Sequence, residues 1–357
     1  MKKIIITCLS ALILLTAFSY SAISQQKLNT NIHKNKTDDH DWSGGNNRTP
    51  GTWDAVIKDG IINIQFAGEH WSTGRNFTAA ELGTLPADKI GEFSLIREAG
   101  KMNFKGVFQA QWGHGTYKFD ENSTFKTYLS QKGYKNLDDE LMLNVFFTDI
   151  NKSYFDFLHS NGYPTISNEQ FRDLAEQDLN RKLLEDYFTL FKAEAYGHVP
   201  LDKIVELREH GVKPAFINEF HQMGYKNISL DKALELRDHG VTPKLIRSFI
   251  ALGHKEISLD RAIELRDHGV NAQFIEGLQQ LGYSNVSLET AQELKDHGVS
   301  VEYLKELKAL GFAGITLEKA QELKDHGVSI AYIKKNKDKG KANLSLDDYI
   351  RLKDTGW

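Results

Sequence analysis

The sequence predicts an α+β protein: a small antiparallel beta-meander domain followed by an alpha-solenoid of 29-residue helical-hairpin repeats. Three observations carry that expectation. Leu201, Leu230, Leu259, Leu288, Leu317 and Leu346 recur at an interval of 29 residues without an insertion, which marks a repeat array. Asp59-Gly60 separates Thr52–Lys58 from Ile61–Phe66, and Asp-Gly between strand-like runs is a strong hairpin signal. An acid followed by His-Gly-Val stands at one place in five successive units, where the glycine stops an amphipathic helix as a C-cap.

Length and charge bound the function. The 357 residues suit two or three domains with a sizeable core, and 40% apolar residues exclude wholesale disorder. With 44 Lys+Arg against 48 Asp+Glu the net charge is -4, so no basic footprint exists for nucleic acid or an anionic membrane to use.

Residues 1–24 read as a signal peptide: Lys2 and Lys3, an apolar run from Ile4 to Phe18, then Ala22-Ile23-Ser24 before Gln25. The run is shorter than the ~20 residues a spanning helix needs, so no stable membrane insertion is expected once the signal is cleaved. Cys8, the only cysteine, lies near the start of the run rather than just after it, which disfavours a lipid anchor. Cleavage would leave a chain without disulfides, thiolate metal sites or cysteine nucleophiles. Residues 25–50 are polar, with Gly44-Gly45-Asn46-Asn47, and read as a solvated linker. His33, Asp38, Asp39, His40 and Asp41 lie in it with nothing to hold a metal geometry.

Residues 51–120 read as the beta domain, a meander of about five strands. Met102, Phe104, Phe108, Ala110 and Trp112 share one parity while Lys101, Asn103, Lys105, Gln109 and Gln111 share the other, as in a strand with one buried face. Gly113-His114-Gly115 is expected to turn that strand back into Thr116–Phe119. Between Trp71 and Lys89 the pattern weakens, and Thr78–Leu82 reads as a short helix or loop. Trp53, Trp71 and Trp112 are candidate platforms for stacking a ligand such as a sugar ring. Asp54, Glu69, His70, Glu98 and His114 are candidate polar groups, but they form no recognisable catalytic constellation. H-E-x-x-H, G-x-S-x-G and P-loop patterns are all absent from the sequence.

Residues 121–200 read as degenerate helical repeats, since Gly133-Tyr134 and Gly162-Tyr163 are again 29 apart. The stretch from Asn168 to Pro200 is four residues longer than the period, which predicts irregular helices. Residues 201–357 read as regular hairpins with a C-terminal cap. The first helix of each carries a stripe such as Leu259, Ala262, Ile263 and Leu265; the second carries one such as Ile246 and Phe249. Ser258 and Thr242-Pro243 are N-terminal caps. Helices this short need their neighbours, hence a solenoid. Near the end, Asn336, Lys339 and Lys341 replace apolar positions, giving the array a polar terminus.

His210, His239, His268, His297 and His326 form a ladder with the acids beside them. They are weak metal candidates; the preferred reading has each imidazole capping its own helix C-terminus and facing an acid one turn earlier, such as Glu206. No catalytic, cofactor-binding or metal residue is assigned.

The combination of Arg97-Glu98-Ala99-Gly100, Phe104-Lys105-Gly106-Val107-Phe108, Gly113–Phe119 and the His-Gly-Val units resembles the non-catalytic extracytoplasmic region attached to some antirepressor-type bacterial sensor-transducer metallopeptidases. The peptidase domain of that family is membrane-embedded and uses H-E-x-x-H, and this chain has neither. The resemblance implies an exported relative of the non-catalytic part, without a cofactor. The expected function is a non-enzymatic scaffold that binds a protein or cell-envelope component through the solenoid. The rival is a periplasmic enzyme acting on glycan or peptide through the beta domain.

Overall fold

The computed structural model describes residues 50–68, 71–340 and 343–356. The signal peptide, the linker, Glu69, His70 and Lys341 lie outside them. The chain divides into two compact units: one comprises most of the β-strands, the other Leu95–Met102 and everything from Asp120 on.

Six strands form one sheet: β1 (Gly51–Lys58), β2 (Ile61–Ala67), β3 (Ser72–Thr78), β4 (Gly91–Arg97), β5 (Gly100–Gln109) and β6 (Trp112–Glu121), in the order β3-β2-β1-β6-β5-β4. Two three-stranded meanders are thus joined through the antiparallel pair β1–β6. The strand missed by sequence is β3. It is an edge strand in which only Phe77 is buried, so it has no apolar alternation to read. Ala79–Leu82 forms the short helix, capped by a reciprocal Thr78–Glu81 box.

The expected turn at Gly113-His114-Gly115 is corrected. The chain reverses at Ala110-Gln111, with Ala110 in the left-handed region at φ 52°, and the two glycines lie within β6. Close packing requires them: a Cβ on Gly115 would meet the Lys105 carbonyl oxygen at 2.1 Å, and one on Gly113 would meet the Phe108 ring at 2.4 Å. Behind the sheet, Phe93 stacks on Phe104 at 4.5 Å, and Trp53 meets both edge-on. These rings make an aromatic core with Phe66, Phe77 and Tyr117.

The helical unit contains sixteen helices among the described residues, from Ser123–Gln131 to Leu346–Thr355. Their starts advance by alternating steps of 13 and 16 residues, which together make the period. One step departs from this: Arg181 to Leu201 is 20. The four extra residues do not disorder the unit. They lengthen its second helix, Arg181–Ala193, to 13 residues where the regular second helices have nine, which is one added turn.

Each regular first helix is bounded by local chemistry. Ser258 Oγ accepts from the Arg261 amide, starting Leu259–Asp267. At the other end Val270 N donates to the Leu265 carbonyl at 2.8 Å and Gly269 N to that of Arg266 at 3.0 Å, with Gly269 at φ 71°; this pair of bonds is a Schellman stop. Its valine is buried in all five copies, Val212, Val241, Val270, Val299 and Val328. The motif around Arg97-Glu98 ties down one helix pair, Asp139–Thr148 and Lys152–Ser160. Arg97 Nη1 donates to the Phe146 and Phe147 carbonyls, both at 2.7 Å, and the Glu98 carboxylate accepts from the Lys152 amide at 3.0 Å. These contacts close the C-terminal end of Asp139–Thr148 and the N-terminal end of Lys152–Ser160.

Candidate functional site

The histidine ladder has a different geometry from self-capping. Each histidine is the C-cap residue of its first helix, but its imidazole reaches forward to the next unit. Nδ1–H donates to the aspartate 28 residues on: His210 to Asp238 at 2.6 Å, His239 to Asp267 at 2.8 Å, His268 to Asp296 and His297 to Asp325 at 2.5 Å, and His326 to Asp354 at 3.0 Å. In four of the five units the acid one turn earlier is taken by a cation instead, as Glu206 is by Lys203 at 2.6 Å. Upstream, Gln177 Nε2 donates to Glu209 at 3.3 Å, an uncharged rung in the same position, offset by the four inserted residues. The last half unit supplies Asp354 to finish the ladder.

These bonds govern the imidazole charge. The hydrogen bond from the next unit's aspartate raises the pKa of His210, His239 and His297, against a smaller opposing desolvation, with acids of the histidine's own helix adding to the rise. The main cause is thus the carboxylate of the next unit. Among the described residues no three His, Cys, Asp or Glu side chains gather as a metal-holding group.

A second ladder runs beside the first, and sequence reasoning missed it. Lys203 bonds Asp231, Lys232 bonds Asp260 and Lys319 bonds Asp347, each at 2.6 Å. Arg261 faces Glu289 at 3.7 Å. The fourth regular unit has Thr290 at this place. Lys319 is therefore half-buried with two acidic partners rather than free in solvent. The signal was available as a basic residue two places after the recurring leucine, but pairing across units has no local signature. Buried tyrosines add a third link: Tyr154, Tyr187 and Tyr303 donate to the Leu179, Val212 and Val328 carbonyls at 2.6–2.7 Å. Burial pushes the Tyr187 and Tyr303 hydroxyls up to about 12.

The second helices behave otherwise. Their exposed positions change from copy to copy: Ala215, Lys244, Gln273, Glu302 and Ala331 occupy one, and Asn218, Arg247, Glu276, Lys305 and Lys334 another. Where the long helix Arg181–Ala193 meets Pro214–Gln222, a cleft of about 370 Å³ opens. Leu183, Leu190, Ala193 and Pro214 give it an apolar floor, with Asp186 and Lys213 also lining it.

The remaining candidates separate clearly. Trp53 is buried, 1% exposed, with its indole N–H donating to the Thr116 carbonyl at 3.0 Å, so it is core and not a platform. Trp71 is half-buried, edge-on to Tyr117. Trp112 is 59% exposed. His114 and Asp54 are direct partners across β6 and β1, both exposed, whereas Glu98 lies in the other unit at the Lys152 amide. The structure does not bring these groups into one site. No protein-family model and no curated protein matches the chain.

Proposed function

We propose that the protein is an exported, non-enzymatic interaction scaffold, related to the non-catalytic region it resembles, that binds a protein or cell-envelope partner along the face made by its second helices. The carrying observation is the division of labour between the layers. First-helix polar groups are engaged by the next unit at nearly every repeat, whereas second-helix surface positions vary among the copies, bond a neighbouring unit only in some of them, as Arg247 does Glu219 and Lys334 does Glu306, and include the 370 Å³ cleft. Solenoids lend themselves to this, because each unit adds surface without changing the core. Export rests on the signal pattern in residues 1–24. No helix among the described residues is long and apolar enough to cross a membrane.

The test is capture from envelope extract with the mature chain and with the double variant Lys244→Glu, Lys305→Glu. A stoichiometric partner retained by the wild type and lost by the variant, with unfolding unchanged, supports the proposal. A partner held equally by both, or none, defeats this assignment of the face.

A further inference from the structure

The outer face of the sheet is open across β3, β2, β1 and β6, and strand register arranges its side chains into rows. Trp112 lies opposite Val56, Val56 opposite Asn63, and Asn63 opposite Asn76; in the next row His114 lies opposite Asp54 and Asp54 opposite Gln65. All except the half-buried Val56 are exposed. We infer that this face is a binding site for an uncharged oligosaccharide, with Trp112 as the ring platform and the amides of the two rows as hydroxyl partners.

Three features select that ligand. An indole left 59% exposed on a sheet face forgoes the burial that favours a large aromatic group, and its electron-rich face suits the C–H face of a pyranose with equatorial substituents. Asn63 Nδ2 donates to Asn76 Oδ1 at 2.8 Å. That bond holds both amides while leaving Asn63 Oδ1 as an acceptor and Asn76 Nδ2 as a donor, the mixed pairing that hydroxyls and acetamido groups require. Lys58 and Lys118 on this face are matched by Asp54 and Asp120, so it exerts no net pull on a polyanion.

Area excludes the principal competitor. Four strands at about 4.8 Å spacing and the seven residues from Thr52 to Lys58 enclose about 300 Å². A standard protein interface covers about 800 Å² on each partner and has an apolar centre. This face is smaller, and its large exposed apolar groups, Trp112 and Ile61, lie at the hairpin ends rather than at its centre. A short stretch of glycan fits it.

The experiment is NMR titration of the full mature chain with β-1,4-linked N-acetylglucosamine trimer, following the Trp112 indole N–H resonance. A saturable shift is expected. Asn63→Ala should weaken it several-fold and Trp112→Ala should weaken binding about tenfold or more, while Trp112→Tyr keeps most of it. Absence of saturable shifts, or binding unaffected by Trp112→Ala and Asn63→Ala, overturns the inference. So does attachment to phosphatidylglycerol vesicles that Trp112→Ala abolishes while the trimer does not bind. The second-helix variants are untouched by this result, so scaffold and glycan site fail independently.

Discussion

The first-helix and second-helix layers of the array share a core but differ in what their polar surfaces do. In the first layer the same charges return in nearly every copy and bond forward, His210 to Asp238 and Lys203 to Asp231 being the pattern. In the second layer equivalent positions hold Asn218, Arg247, Glu276, Lys305 and Lys334, so a bond between units, such as Arg247 to Glu219 or Lys334 to Glu306, forms only in some copies. A residue repeated because its neighbour needs it differs from a residue free to vary, and one chain displays both. The apolar interior makes no such distinction: Leu265 and Phe249 are both fully buried.

Breaking the array between units should have the largest effect. Truncation after Gly298 removes Val301–Ala309, which packs on Ala272–Gln280, and discards the polar end, so aggregation is expected; a soluble fragment that unfolds cooperatively would sink the solenoid account. Leu265→Ala in the first layer and Phe249→Ala in the second should each cost roughly 2–5 kcal/mol. Denaturant unfolding measures both, and a large disparity would show that the layers do not share one core. Tyr303→Phe should cost about 1 kcal/mol or somewhat more, because the buried Val328 carbonyl loses its donor.

Surface charge sharpens the contrast. Lys319→Ala removes a cation held by Asp347 and Glu322 and should lower stability by no more than about 1 kcal/mol. Lys305→Ala in the second layer should be neutral within error. Equal effects would erase the distinction between the layers.

The ladder adds a pH dependence. Folded His210, His239 and His297 hold their protons more tightly than the same residues in the unfolded chain, whose pKa is near 6.5. Their stabilisation is therefore full below that value and is lost as pH rises through the folded pKa. The unfolding midpoint should fall as pH rises above that value, and replacing His210, His239 and His297 with glutamine, the residue the chain itself uses at Gln177, should flatten the profile. A flat wild-type curve would remove titration from the ladder's role.

The smallest effect concerns the irregular unit. Ala195 occupies the left-handed region at φ 55°, where regular units carry glycine at φ 94–102°, as in Gly224, Gly253, Gly282 and Gly311. Ala195→Gly should stabilise by a few tenths to about 1 kcal/mol after the unfolded-state cost of glycine is subtracted. Thermal unfolding reads it directly.

Local chemistry made much of the architecture legible. The period, the serine and threonine caps, the glycine stops and the Asp59-Gly60 hairpin each depend on residues within one turn or one hairpin, so their signatures lie side by side in the chain. Long-range geometry was not legible in the same way. Gly113 and Gly115 read as a turn because glycine is a common breaker, yet they lie in a strand where Phe108 and the β5 backbone leave no room for a Cβ. The edge position of β3 removed the alternation that would have revealed it. Trp53 and Trp112 were indistinguishable as candidate platforms until register placed one beneath the sheet and the other upon it.

The sequence by itself determined where helices begin and end, how many units follow one another and which side chains are apolar, because capping, propensity and periodicity act over a few residues. Only the tertiary structure decided that each imidazole bonds the aspartate 28 residues ahead rather than the acid of its own helix, that an inserted tetrapeptide becomes one helical turn beside a cleft, and that Trp112 crowns an open polar face. Those outcomes depend on how neighbouring units and strands are placed in space, and the direction of a side chain between two chemically equivalent partners is set by distance, which no local pattern encodes.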